Sequence, residues 1–390
     1  MYPHQAERLG EALAASGSAA LVATAPENVR YVTGFRSLTA TVFATPHLAV
    51  VSPRGTALVV PAIDVAPLVA DGVSVDHVVC FGGFRSQRPA APTDEARRVH
   101  ELMDRRARSP ADALAAALDA LGAADGTIGV DEGGLTPAAW QRLAERLAPR
   151  GLAPAAERFG AARRVKGPHE IECLHRALGI AEEALDAVVQ TLGRGVTEQE
   201  AMARFEAEVA RHGATPRAGA IAFAAGAAIP APWPTERALA PGDLARFDVG
   251  CAFRGYHASV ARTAVLGQPD RRQDTLYGAM LAGVEAALEA IAPGVTAGRV
   301  FDAALAAARA AGAPGYERSH VGHGIGLEPY ERPKLAAGDP TPLEAGEVLR
   351  VELPWHEHGV AGLGLTETVL VTRAGARVLN RSARGLVVLD

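Results

Sequence analysis

Asp248, His323 and Glu352 are the residues of this chain best suited to chemistry. Their carboxylate and imidazole groups suit Mn, Zn, Co or Fe as ligands, or proton transfer as general acids and bases. Asp248 closes an apolar run that begins after the turn Pro241-Gly242-Asp243, and an Asp at the end of a short apolar strand is costly unless paired or ligated. Eleven residues on, Ser259 lies in a segment that returns beside the first, so 248 and 259 are expected to face each other across a hairpin. His323 stands in His320-Val321-Gly322-His323-Gly324-Ile325-Gly326, where glycines let backbone and substrate approach closely. Glu352 falls in Val351-Glu352-Leu353-Pro354-Trp355. Each residue alone is more often structural than catalytic. The glycine-rich loop also lacks the strand-then-helix setting of a nucleotide site.

These residues need rigid elements to hold them, and the patterning supplies two kinds. With 390 residues the chain exceeds one ordinary core and suggests two domains, assigned to 1–155 and 163–390. The first alternates helix and strand: a helix over 5–15, strands near 19–23, 47–51 and 57–60, a helix over 111–121, a strand at 128–130 and a helix over 137–147. That is an α/β three-layer pattern. A break at Pro149-Arg150-Gly151 through Pro154 separates it from the second domain, whose helices are expected over 169–193, 197–212 and, as a pair, 273–312. Thr197 with Glu200 three residues on is a capping box. Helices covering an antiparallel sheet on one face give this half an α+β arrangement.

Composition narrows the class. Apolar residues make up 48% and charged residues 21%, a globular balance. The net charge of -5, with no Lys/Arg stripe, argues against a nucleic-acid partner. No apolar stretch of about 18 residues marks a membrane span. The N-terminal segment reads as an amphipathic helix rather than a signal peptide, and the three scattered cysteines, Cys80, Cys173 and Cys251, read as buried free thiols. A cytoplasmic protein is expected.

Motifs in both halves carry a resemblance. Ala25-Pro26-Glu27-Asn28-Val29-Arg30-Tyr31-Val32-Thr33-Gly34-Phe35 looks like a "PENxRYLTGF" loop, and Arg164-Val165-Lys166 with Glu170-Ile171 like "R-x-x-K-s-x-x-E-I". Gly255-Tyr256 and Arg262-Thr263 fit "G-Y" and "D-x-T/A-R-T". The loop from 320 to 333 fits "H-x-x-G-H-G-I-G-L-x-x-H-E-x-P", Val351-Glu352-Leu353-Pro354-Trp355 matches "S-x-E-P" with Glu352 at the glutamate, and Thr366-Glu367-Thr368-Val369-Leu370-Val371 fits "R-x-E-D-T-V-L-V". The chain thus resembles the pita-bread family of methionine aminopeptidase, aminopeptidase P, prolidase and creatinase. That resemblance implies an N-terminal α/β domain, a C-terminal pita-bread catalytic domain and a homodimer.

It also implies a five-ligand dinuclear metal site at Asp248, Ser259, His323, Glu352 and Thr366. Here Ser259 and Thr366 replace carboxylates, and a neutral hydroxyl neither bridges two divalent ions nor offsets their charge. Strand alternation turns Glu367 to the face opposite Thr366 unless a bulge intervenes. The upstream family histidine falls on Ser319, with His320 adjacent; the downstream one is Tyr330; and Ala231 follows Pro230 where the family has a histidine. The expectation is therefore a metal-independent, creatinase-like hydrolase or lyase that cleaves a C–N bond in a small nitrogenous amino-acid derivative, without a cofactor.

In that reading His323 is the general acid or base, with a pKa in the useful range and with Asp248 or Glu352 orienting it. Tyr330 and Ser259 donate hydrogen bonds to an oxyanion. Thr366, Glu367 and His320 bind substrate; Arg262 is structural or pairs with a substrate carboxylate; Trp233 and Phe35 form walls. Two alternatives stand beside it: an Xaa-Pro-type metallopeptidase holding one metal on Asp248, His323 and Glu352, and an inactive binding protein. On the resemblance alone, replacing Ser259 by Asp and Thr366 by Glu should restore stoichiometric Mn or Co.

Overall fold

The computed structural model describes residues 1–390, the side chain of Ala218 excepted. It divides into two compact units, Met1–Arg163 and Arg164–Asp390.

The first unit is built on one mixed sheet of β1 (Ala20–Ala23), β2 (Leu48–Ser52), β3 (Gly55–Pro61), β4 (His77–Phe81), β5 (Thr127–Val130) and β6 (Gly151–Pro154), in the order β4-β3-β2-β1-β5-β6. The central strands are continuous apolar runs buried on both faces, so helices must cover both sides. These are α1 (Pro3–Ser16), α2 (Pro26–Thr33), α3 (Leu38–Phe43), α4 (Val65–Ala70), α5 (Asp94–Asp104), α6 (Pro110–Ala120), α7 (Pro137–Leu147) and α8 (Ala156–Arg164).

Two expectations change here. The segment 25–35 is helical: Pro26 opens α2, and Gly34, at φ 73, ends it in the left-handed conformation that glycine adopts without penalty. The Pro/Gly break near 151 is an edge strand, β6, paired parallel with β5. A Pro/Gly cluster reads alike as a linker or as a short edge strand.

The second unit carries α9 (Pro168–Val189) and α10 (Glu198–Arg211), the latter capped by the Thr197/Glu200 box. These pack on a sheet of β7 (Thr215–Phe223), β8 (Leu244–Phe253) and β9 (Tyr256–Leu266). A second pair, α11 (Arg271–Ala290) and α12 (Ala297–Ala310), backs a sheet that includes β10 (Gly322–Gly324), β11 (Glu331–Lys334) and β12 (Val348–Glu352). A small hairpin, β13 (Trp355–Glu357) and β14 (Ala361–Leu363), leads into β15 (Thr366–Thr372), β16 (Gly375–Val378) and β17 (Val387–Leu389). The strand orders are β11-β10-β12-β15-β16 and β17-β9-β8-β7. β17 joins β9 parallel, so the second of these sheets is not purely antiparallel as expected.

Met280, Val284, Phe301, Val351, Leu353 and Val369 form the core beneath α11 and α12. The two helices approach closely at Gly283, where an added Cβ would meet Leu353 Cδ2 at 2.3 Å and the Ala304 carbonyl oxygen at 3.0 Å. The three cysteines are buried, and none forms a disulfide. No helix among the described residues is long and apolar enough to cross a membrane.

Gly283→Ala should therefore lower stability by about 1–3 kcal/mol through overpacking. A urea unfolding midpoint unchanged from the parent would show that α11 and α12 can separate to accept a methyl group.

Candidate active site

The sheets deliver the site residues by register. On β12, Arg350 and Glu352 are two apart and share a face. His323 on β10 pairs with Arg350, and Thr366 on β15 pairs with Glu352, so all four side chains rise from one side of that sheet. Asp248 reaches the same place from β8 in the other sheet: its Oδ1 accepts from Arg350 Nη2 at 2.7 Å. Arg350 Nη1 donates to Glu352 Oε2. The guanidinium, buried on its strand, thus binds both carboxylates.

Arg350 was not among the expected residues. Its signal was nonetheless in the chain, because the pattern "S-x-E-P" puts serine at this place and the sequence has arginine.

Glu352 Oε1 has further basic neighbours, Arg318 Nη2 at 3.6 Å and His320 Nδ1 at 3.3 Å. The latter contact is electrostatic and lacks hydrogen-bond alignment. On its other nitrogen, His320 Nε2 lies 2.6 Å from the Tyr330 hydroxyl. Burial raises the Tyr330 pKa, while burial and then Arg318, Lys334 and Arg350 push His320 down to about 4. A protonated phenol beside a neutral imidazole donates, so Tyr330 O–H points to Nε2 and the His320 proton sits on Nδ1, toward Glu352.

The Tyr330 ring stacks on His323 with centroids 3.5 Å apart. His323 Nδ1 lies 2.8 Å from the Gly324 carbonyl oxygen, which only accepts, so Nδ1 carries the proton and Nε2 presents a lone pair. That Nε2 is buried without a partner. Burial, followed by Arg350, pushes the His323 pKa down to about 3. Neither Asp248 nor Glu352 orients this ring, and its pKa lies far below neutrality. His323 is therefore an acceptor of hydrogen bonds rather than the general base expected. Burial is the larger cause, and the arginine that the expectation omitted adds to it.

Other expected residues take different places. Asp248 is in the middle of β8 and pairs with Ala261, while Ser259 pairs with Gly250, two positions out of register with Asp248. Thr366 accepts from the Ala261 N–H at 2.7 Å, tying the two sheets together. Glu367 pairs with Val351 in unbroken register, without a bulge, and turns away to Arg262 at 3.0 Å. Arg262 spends its N–H groups on Glu367, Ser382 and the carbonyls of Ala261, Thr366 and Ala383. It has none left for a substrate carboxylate. Trp233 is 82% exposed and walls nothing in its own unit. Phe35 is buried inside the first unit against the ring of His47.

The surviving loop glycines are steric necessities. A Cβ at Gly324 would meet the Arg332 carbonyl oxygen at 2.4 Å. The loop is anchored by a buried ion pair, Lys166 Nζ to Glu331 Oε2 at 2.8 Å.

A divalent metal does not fit this donor set as it stands. Asp248 and Glu352 are committed to a guanidinium, and the Thr366 hydroxyl is committed to a backbone N–H. Among the described residues no group of three or more His, Cys, Asp or Glu is disposed to hold a metal ion.

Residues 172–373 match the family described as Metallopeptidase family M24, and residues 5–165 match the Creatinase/Prolidase N-terminal domain. The chain belongs to metallopeptidase family M24. A relative of the M24 chain, the Xaa-Pro dipeptidase of Pyrococcus furiosus, is 31% identical over 225 residues, covering 57% of this chain and 65% of that protein. An uncharacterised peptidase of Staphylococcus saprophyticus is 31% identical over 215 residues, 55% of this chain and 61% of the relative. The chain thus matches less than two-thirds of the length of these curated relatives. They are a dipeptidase and a peptidase, not creatinases. In solved structures the same fold occurs in the Xaa-Pro dipeptidase of Bacillus anthracis, with a TM-score of 0.83, 22% identity and 99% of each chain covered. The X-Pro aminopeptidase of Thermotoga maritima gives a TM-score of 0.81 at 22% identity, covering 98% of this chain and 99% of that one. The M24 fold, an α/β unit followed by a pita-bread unit, is shared across these proteins.

The two site histidines, with His356 on β13, whose Nδ1 lies 3.1 Å from the Ala228 carbonyl oxygen, fix an acid sensitivity. His320 and His323 are held down as above, and burial pushes His356 down to about 4. Their folded pKa values lie below the unfolded value of about 6.5. As pH falls below that value the unfolded chain takes up protons first. Stability is therefore complete above about 6.5 and is lost toward about 4, by up to roughly 1.4 kcal/mol per pH unit for each ring. Urea midpoints measured from pH 7.5 to 4.5 should fall accordingly, and His323→Gln should flatten the slope. An identical slope in that variant would mean the His323 ring is not held neutral.

Proposed function

We propose that this M24 chain hydrolyses the C–N bond of a small dipeptide-like substrate, an Xaa-Pro dipeptide first among them, without a bound metal. The observation that carries the metal-free part is the Arg350 guanidinium between Asp248 and Glu352. The substrate class rests on the named relatives, which favour an Xaa-Pro dipeptide over the creatinase-type substrate expected from the resemblance.

The residues supply three functions. The half-exposed Tyr330 hydroxyl, its O–H turning from its resting acceptor His320 Nε2 to the substrate, is the proton donor to the leaving nitrogen. The lone pair of His323 Nε2 orients an O–H or N–H group at the reacting centre. Arg318 and Lys334, flanking Glu352 and the Tyr330 ring, stabilise negative charge developing on the carbonyl oxygen. Water adds to the carbonyl carbon and the C–N bond breaks as the nitrogen takes the Tyr330 proton; one proton of the water restores the phenol and the other passes from the new carboxylic acid to the amine, giving a carboxylate and an ammonium.

A second reading, a peptidase with one metal on Asp248, His323 and Glu352, draws on the same relatives and requires Arg350 to swing away from both carboxylates.

The test is turnover of a panel of Xaa-Pro dipeptides and of ureido and amidino amino acids, with chelator and then with added Mn or Co. Chelator-insensitive turnover is expected, falling by about 100-fold or more in Tyr330→Phe and His320→Asn. Turnover that appears only with added metal would overturn the metal-free reading in favour of the second. Failure of every substrate would overturn both.

A further inference from the structure

We infer that Arg350 is a tethered replacement for the metal centre, and that the side chains it joins, with His323, are a latent metal site blocked by that one side chain. The charge balance leads to this view. Asp248 and Glu352 bring two negative charges; Arg350 binds both, and Arg318 stands 3.6 Å from Glu352, so two guanidiniums face two carboxylates. Glu352 is buried, and a buried carboxylate without a cation is strongly disfavoured, so Glu352 needs a cation whatever its source, while the partly exposed Asp248 shares the one that serves it.

Three positions change in concert. Ser259 and Thr366 lack the carboxylates that a dinuclear centre uses, which removes two negative charges, and Arg350 adds one positive charge where the pattern has serine. A divalent ion entering beside Arg350 would leave the cluster with excess positive charge and would have to displace the guanidinium from both carboxylates. Restoring Ser259 and Thr366 to carboxylates is therefore not sufficient, contrary to the expectation from the resemblance: the added carboxylates would pair with Arg350 and Arg318. Removal of the arginine is also needed. His323, with Nε2 unpartnered and its lone pair free, is already in the form that ligates a metal.

The test uses the full chain in four forms: parent, S259D/T366E, R350S, and R350S/S259D/T366E. Each is stripped with chelator, incubated with Mn or Co, desalted and analysed for metal per chain, with the visible spectrum of the Co samples recorded in parallel. The parent and S259D/T366E are expected to hold essentially none, and the triple variant at least one ion per chain with the absorption of ligated Co. The inference is overturned if the parent or S259D/T366E binds stoichiometric metal, or if the folded triple variant binds none. Should the triple variant be poorly folded when stripped, its melting temperature decides: Mn at saturation should raise it by about 5 °C or more, and no rise overturns the inference. These readouts are independent of turnover, so an inactive parent leaves them unchanged.

Discussion

Two carboxylates from different sheets meet in the second unit, and the buried one, Glu352, cannot stay there without a positive charge. Asp248 comes from β8 and Glu352 from β12, and Arg350 joins them. Much of the site's behaviour follows from that requirement. Burial first, then the surrounding cations, Arg350 for His323 and chiefly Arg318 for His320, lower the basicity of both rings, so both are neutral near physiological pH. A neutral His320 in turn lets Tyr330 donate its proton. The order of dependence runs from the charge on β12 to the imidazoles and then to the exposed hydroxyl.

The motif residues fall into two groups with different histories in this chain. Those that cross-link the scaffold are retained with their partners. Lys166 pairs with Glu331, the Tyr256 hydroxyl donates to Glu170 at 3.2 Å, and the Thr263 hydroxyl bonds both to and from Gly364. Arg262 ties β9 to β15 and to the segment near Ser382. Two of the five positions that would hold metal have other chemistry instead, Ser259 and Thr366, and Arg350 stands beside the remaining three. A fold held by one set of residues can lose the other without collapse, which is why fold and activity separate in this family.

Legibility in the sequence follows the same division. Strand periodicity was enough to turn Glu367 away from Thr366, and the register bears out that geometry. The Thr197/Glu200 box marked its helix because capping is local chemistry. Arg350 was readable as a departure from a motif, yet its meaning depended on Asp248, 102 residues away, arriving from another sheet. The neutral state of His323 was hidden for the same reason, since burial and a neighbouring guanidinium are tertiary facts. Aromatic side chains were the least legible. Phe35 turned into its own core and Trp233 toward solvent, and loop sequence carries no rule that separates the two.

A metal centre is an equilibrium: it empties at low ion concentration, and the ion that fills it is chosen partly by abundance and by the intrinsic ordering of transition-metal affinities. Arg350 is joined to its ligands by the chain itself. Its local concentration does not fall on dilution, no competing ion of higher affinity can exchange with it, and ligation requires no prior deprotonation by the environment. On the metal-free reading proposed above, the site would carry its charge through metal starvation and metal excess alike, with a geometry that cannot be retuned by changing the ion.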